Sequence, residues 1–105
     1  NVKDQMANRD SLFSFYKEML KLRKDHEALK FGDFEWLENT NPEILYYQRS
    51  LKNNMIKVLL NMSSETQEFD LPLGTIMILL SSKKIQENGS QLRLAPYQGI
   101  LFTEQ

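Results

Sequence analysis

The stretch Asp10 to Leu29, DSLFSFYKEMLKLRKDHEAL, constrains this chain most, because it alone carries a sustained 3.6-residue period. Set at about 100° per residue, Ser14, Lys17, Glu18, Lys21, Lys24, Asp25 and Ala28 share one side. Leu12, Phe13, Phe15, Tyr16, Met19, Leu20, Leu22 and Arg23 spread over roughly half the circumference opposite, with His26 at the end of that arc. A helix resting on one sheet needs an apolar stripe of only about 100°. The wider arc predicts a helix covered from two directions. Where one cover is missing, some of Leu12, Phe13, Phe15, Tyr16 and Met19 are expected to be exposed, or to be covered by a second copy in a homodimer through Asp10 to Leu29.

The polar segment 1–9 is expected to be irregular, with Asp10 or Ser11 capping the first free amides of the helix. Lys21 with Asp25, and Arg23 with Glu27, are spaced to pair one turn apart, and Gly32 is the natural stop. Beyond Gly32 the period changes to two. Alternation predicts strands at 33–38, 44–51, 55–62, 66–71, 75–80, 91–94 and 97–103. Turn residues separate them at 39–42, 52–54, 63–65, 72–74 and 95–96, while 81–90 reads as a loop. Phe34 and Trp36 share a face, as do Leu45, Tyr47, Arg49 and Leu51, and Ile56, Val58 and Leu60 point inward. Glu68 and Asp70 oppose Gln67, Phe69 and Leu71, and TIMILL at 75–80 is apolar on both faces, as in a strand covered twice. The predicted fold is mainly β with one long N-terminal helix, its strands forming an antiparallel sandwich or barrel. The boundary falls near Phe31-Gly32, dividing the chain into 1–31 and 32–105.

Charge and composition then remove function classes. A net charge of −1 leaves no basic field for a phosphate backbone, so nucleic acid is not an expected partner. The absence of cysteine removes disulfides, thiolate chemistry and cysteine-ligated zinc, and is compatible with the cytoplasm, the expected location. No apolar run approaches the roughly 18 to 20 residues of a membrane helix, and NVKDQMANRD has no signal-peptide core. With no initiator methionine before a polar lead-in, excision from a longer chain is expected.

Several words of the sequence, in order, carry a resemblance. They are Asn1-Val2-Lys3-Asp4-Gln5 before the helix, Leu22-Arg23-Lys24 with Leu29 at its end, and Gly32-Asp33-Phe34 opening the β region. YYQR at 46–49, IKVLLNMSSE at 56–65 and LAPYQGILF at 94–102 continue it. Together they resemble the C-terminal region of α-glucosidases of the α-amylase superfamily, the group of oligo-1,6-glucosidases, dextran glucosidases and trehalose-6-phosphate hydrolases. The resemblance implies that 1–31 is the last helical segment of a (β/α)8 barrel domain. It also implies that 32–105 is the C-terminal antiparallel β domain of a retaining glycosidase acting on short α-1,6- or α-1,4-glucosides. That family's nucleophile, acid/base and stabilising carboxylates lie upstream, and none of their motifs occurs here. The missing barrel is therefore the expected partner.

No residue of this chain is expected to be catalytic, cofactor-binding or metal-binding. Glu68 and Asp70 lie about 7 Å apart along a strand, beside a polar turn with nothing apolar to raise either pKa, whereas retaining chemistry needs carboxyl groups about 5 to 5.5 Å apart. Asp33 and Glu35 read likewise as a solvated face. His26, the single histidine, has no base or orienting group nearby in sequence. The pairs Ser63-Ser64 and Ser81-Ser82 lack an elbow motif, and Asn88-Gly89-Ser90 lacks a phosphate cradle. Arg23 falls inside the apolar arc and is expected to bridge to a carboxylate or carbonyls at the helix–β junction, or else to reach out along the edge. Phe34, Trp36, Tyr46 and Tyr47 are the rings that would stack on sugars in a stand-alone carbohydrate-binding module. Alternation assigns Phe34, Trp36 and Tyr47 to the core instead.

Overall fold

The structure, a computed structural model, describes residues 2–71 and 73–104. Asn1 of the N-terminal word and Pro72 of the expected 72–74 turn lie outside them. Helix α1 (Val2–Leu22) begins well before the expected cap. The lead-in is polar, but it contains neither glycine nor proline and is rich in straight-chain residues, so nothing in it resists the helix. Asp10 and Ser11 are accordingly mid-helix. Ser11 donates from Oγ to the carbonyl of Tyr97 at 3.4 Å, tying the helix to the turn before the last strand.

The expected single helix is in fact two. Amides of Arg23, Lys24 and Asp25 bond to carbonyls three residues back, the tightened winding that ends a helix. His26 is extended (φ −133°, ψ 97°), and α2 (Glu27–Phe31) restarts beyond it. The break turns Ala28 and Leu29 into the core, which a straight continuation would not reach. It also removes the expected Lys21–Asp25 and Arg23–Glu27 pairs, and Lys21 meets Glu18 instead at 3.1 Å. Gly32 does end α2, but not through left-handed backbone, since its φ is −72°. A Cβ there would lie 2.3 Å from the Ala28 carbonyl oxygen and 2.8 Å from that of Ser50, so only glycine fits.

Eight strands follow among the described residues: β1 (Asp33–Trp36), β2 (Ile44–Leu51), β3 (Asn54–Asn61), β4 (Gln67–Asp70), β5 (Ile76–Ser81), β6 (Gln86–Asn88), β7 (Gln91–Leu94) and β8 (Gly99–Glu104). They form two antiparallel sheets, ordered β1-β2-β3-β8-β5 and β4-β7-β6. The mainly β fold with an N-terminal helix is therefore as expected. Within 81–90, the strand β6 was not anticipated. β5 proves to be an edge strand: Ile76 and Ile78 pack on the sandwich side, Leu79 and Leu80 on the helix side, and Met77 is exposed. The β2–β3 turn uses Lys52, not an asparagine, as its left-handed residue (φ 58°).

Two apolar clusters hold these layers together. On one face of the larger sheet, Ile56, Val58, Leu60 and Leu101 meet Phe15 and Met19 of α1 with Ala28 and Leu29 of α2. On the other, Ile44, Leu59, Ile100 and Phe102 meet Leu92 and Leu94 of the smaller sheet. Gly99 seats the helix. A Cβ on it would lie 2.6 Å from two ring carbons of Phe15, so its hydrogen is what lets that ring lie on β8. Asn61, fully buried, ties the sheets at their ends. Its amide nitrogen donates to the carbonyls of Glu65, Leu94 and Ala95, and its oxygen accepts from the amide and hydroxyl of Ser63.

Candidate docking surface

Helix α1 carries two apolar stripes rotated by roughly 120° about its axis, a consequence of 100° per residue. Leu12, Phe15, Met19 and Leu22 pack on the sheet. Val2, Met6, Phe13, Tyr16 and Leu20 face away, with Phe13 70% and Leu20 58% exposed. Of the five residues predicted to divide this way, Phe15 and Met19 are buried and Phe13 and Tyr16 exposed.

The second stripe continues onto the sheet. Trp36 lies opposite Tyr47, and Phe34 opposite Arg49, on the face that the helices only partly cover. The three rings form a cluster: Phe34 stacks on Tyr47 at 4.9 Å, while Trp36 meets Phe34 at 5.0 Å and Tyr47 at 5.8 Å, both edge-on. The expected core placement of Phe34 and Trp36 fails, since they are 51% and 61% exposed. Alternation correctly gave their common face, but β1 is a sheet edge and the helix stops short of it. Tyr47 is half-buried at the join. Its burial raises the phenol's pKa, and the neighbouring Tyr16 phenol raises it further, against a lowering by Arg49. Tyr47 also packs against the cluster that holds Phe15 and Met19, which joins the helix to the rings.

Arg49 stands beside this cluster and does what was expected of Arg23. Its Nε and Nη2 donate to the Gly32 carbonyl at 3.3 and 2.9 Å, clamping the end of α2 to β2. Arg23 is exposed and forms no ion pair among the described residues. On the opposite face Tyr46 packs its ring on Phe69 at 5.2 Å, and burial raises its pKa against the lowering effect of Lys57.

Elsewhere the polar candidates stay apart. Glu68 accepts from Arg93 Nε at 3.2 Å while Asp70 is exposed; both line an open cleft of about 320 Å³ with Asn41, Phe69 and Gln91, but no hydrogen-bond partner among the described residues joins the two carboxylates. Glu68 is thus a paired side chain rather than the freely solvated one expected. Asp33 and Glu35 are exposed. His26 lines an open, polar cleft of about 420 Å³ with Asn53, Asn54, Thr103 and Glu104. Ser63 accepts from Gln67 beside its turn, Ser81 at the end of β5 accepts from Gln98, and Gly89 (φ 65°) turns β6 into β7. Among the described residues no three His, Cys, Asp or Glu are placed to hold a metal ion.

The family model for the maltogenic amylase C-terminal domain matches residues 34–100. The chain belongs to that family. An oligo-1,6-glucosidase of Bacillus cereus is 31% identical over 108 residues, covering 97% of this chain but 19% of the relative. A glucan 1,6-alpha-glucosidase of Streptococcus dysgalactiae subsp. equisimilis is 28% identical over 100 residues, covering 95% of this chain and 18% of the relative. Among solved structures, a MutB mutant in complex with sucrose superposes with a TM-score of 0.71 at 26% identity, covering 89% of this chain and 18% of that one. A Bacillus licheniformis trehalose-6-phosphate hydrolase mutant does so with a TM-score of 0.66 at 26% identity, covering 83% and 17%. The resemblance to α-amylase-superfamily glucosidases therefore holds over nearly the whole maltogenic amylase C-terminal family chain. Such a chain spans about a fifth of the length of the curated relatives it matches, 19% in the Bacillus cereus case.

Proposed function

We propose that this chain is the non-catalytic, stabilising C-terminal part of a retaining α-glucosidase that hydrolyses short α-1,6- or α-1,4-glucosides. In this reading 1–31 is the last helical segment of the (β/α)8 barrel domain and 32–105 the C-terminal β domain. The observation that carries it is the second apolar stripe of α1, which leaves Phe13 and Leu20 uncovered on a family member that spans a fifth of its relatives. An apolar face of this kind is costly in water and marks a contact. The catalytic carboxylates are assigned to the barrel, and no catalytic, cofactor-binding or metal-binding residue is assigned to this chain. Its location is the cytoplasm; among the described residues no helix is long and apolar enough to cross a membrane.

Two measurements test the reading. The purified 105-residue chain is expected to show no turnover of p-nitrophenyl α-glucoside, and measurable hydrolysis would overturn the assignment. The exposed Phe34 and Trp36 favour a second reading, a carbohydrate-binding module, on one specific observation: rings open to solvent at a sheet edge. Isothermal titration with isomaltose and maltose separates the two. Heats absent at millimolar sugar support the structural role, while millimolar or tighter binding, lost in Trp36→Ala, supports the module.

A further inference from the structure

The apolar stripe of α1 is not electrically neutral. Arg9 and Lys17 stand four residues before and after Phe13, so both flank it on the same side of the helix. Both are exposed, and neither forms an ion pair among the described residues. Whatever buries Phe13 must also take water from these two cations. An unpaired charge brought into an interface is strongly unfavourable, whereas a carboxylate placed opposite offsets that loss.

This arrangement discriminates between the two occupants that fit an apolar helix face. Suppose that a second copy packed its α1 antiparallel on the first, Phe13 against Phe13 about a two-fold axis. Arg9 of one helix would then oppose Lys17 of the other, twice over. A parallel pair would set Arg9 against Arg9 and Lys17 against Lys17. Either geometry sets cation on cation, and like charges across an interface work against it. The stripe is therefore poorly suited to itself.

Resting on the reading that a barrel domain covers this chain, we infer that the occupant is an apolar surface of the parent polypeptide bordered by carboxylates that meet Arg9 and Lys17. Its footprint runs from Phe13 and Leu20 past Tyr16 to Tyr47, Phe34 and Trp36, because Tyr47 packs on the cluster beneath α1 and meets both rings. A second copy is not the occupant.

Charge reversal in the full polypeptide tests this, with the 105-residue chain as the folding control. The pair Arg9→Glu with Lys17→Glu is expected to lower the unfolding temperature of the full polypeptide by about 3 °C or more, and to leave that of the short chain within about 1 °C. An unchanged full polypeptide overturns the inference. Phe13→Ser in the same background tells the two levels apart. Destabilisation by Phe13→Ser without an effect of charge reversal sinks only the acidic border, while no effect of either sinks the barrel-docking reading itself. Sedimentation of the short chain supplies the second arm. It is expected to be monomeric, and the single change Arg9→Glu, which sets opposite charges across the two-fold axis, is expected to promote dimers. A stable wild-type dimer abolished by Phe13→Ser would overturn the choice of occupant.

Discussion

Gly99→Ala is the most exacting probe of how the helix is attached. The new methyl would lie 2.6 Å from Cδ2 and Cε2 of Phe15 and 2.7 Å from its Cγ. Because Cγ is among the atoms struck, rotating the ring does not clear the clash. The whole side chain, and with it α1, must move away from β8. Overpacking of this kind costs about 1 to 3 kcal/mol. A contact this short belongs to the upper part of that range, about 2 to 3 kcal/mol, and replacing glycine in a strand recovers roughly 0.5 to 1 kcal/mol of unfolded-chain entropy, which leaves a net loss of about 1 to 2.5 kcal/mol. For a domain of this size that is a fall of roughly 5 to 10 °C in Tm. The assay is thermal unfolding by circular dichroism, run on the wild type, Gly99→Ala, Phe15→Leu and the double variant. Phe15→Leu alone also destabilises, but it removes the struck ring atoms, so the double variant is expected to be at least about 0.5 kcal/mol more stable than the sum of the singles. Strict additivity, or a Gly99→Ala protein as stable as the wild type, would refute the argument that glycine is there to admit Phe15.

Three further outcomes are expected. Asn61→Ala removes a fully buried amide that bridges the carbonyls of Glu65, Leu94 and Ala95 and is expected to cost about 1 to 3 kcal/mol, read as a lower urea midpoint at unchanged slope. Lys52→Gly relieves the left-handed φ of 58° in an exposed hairpin and is expected to stabilise the chain by about 0.5 to 1 kcal/mol in the same titration. Tyr47 has a folded pKa above its ordinary value, so its contribution is fully present below about pH 10, where the unfolded phenol is neutral, and is lost as pH rises from there toward the folded pKa. Wild-type stability should therefore fall above about pH 10. Tyr47→Phe should flatten that decline, leaving the smaller slope that Tyr46 contributes; an unchanged slope would remove Tyr47 from the account.

Much of the architecture follows from local chemistry. β2 runs from Ile44 to Leu51 as read, because eight alternating residues lie between a proline turn and an asparagine-rich one. β6 was hidden in SSKKIQENGS because its three residues, Gln86–Asn88, are all exposed; only pairing with β7 defines it. The helix break after Leu22 was equally hidden. Arg23, Lys24 and Asp25 are acceptable helix residues, and the chain leaves the helix there because Ala28 and Leu29 gain burial by doing so. The docking surface was half legible. Width of the apolar arc announced a second stripe, but the exposure of Phe34 and Trp36 depends on β1 being an edge, which pairing alone reveals.

What the sequence determined by itself is periodicity: a helical stretch with apolar residues on two sides, then strands whose alternation sorts residues into faces. Those are properties of 100° and 180° per residue, and they need no partner. Only the tertiary structure decided which apolar side is covered. Phe15 and Phe13 are the same residue type two positions apart, yet Phe15 is 1% exposed and Phe13 70%. The difference lies in Gly99, 84 residues beyond Phe15 in the chain, whose missing side chain opens a seat for one ring and offers none to the other.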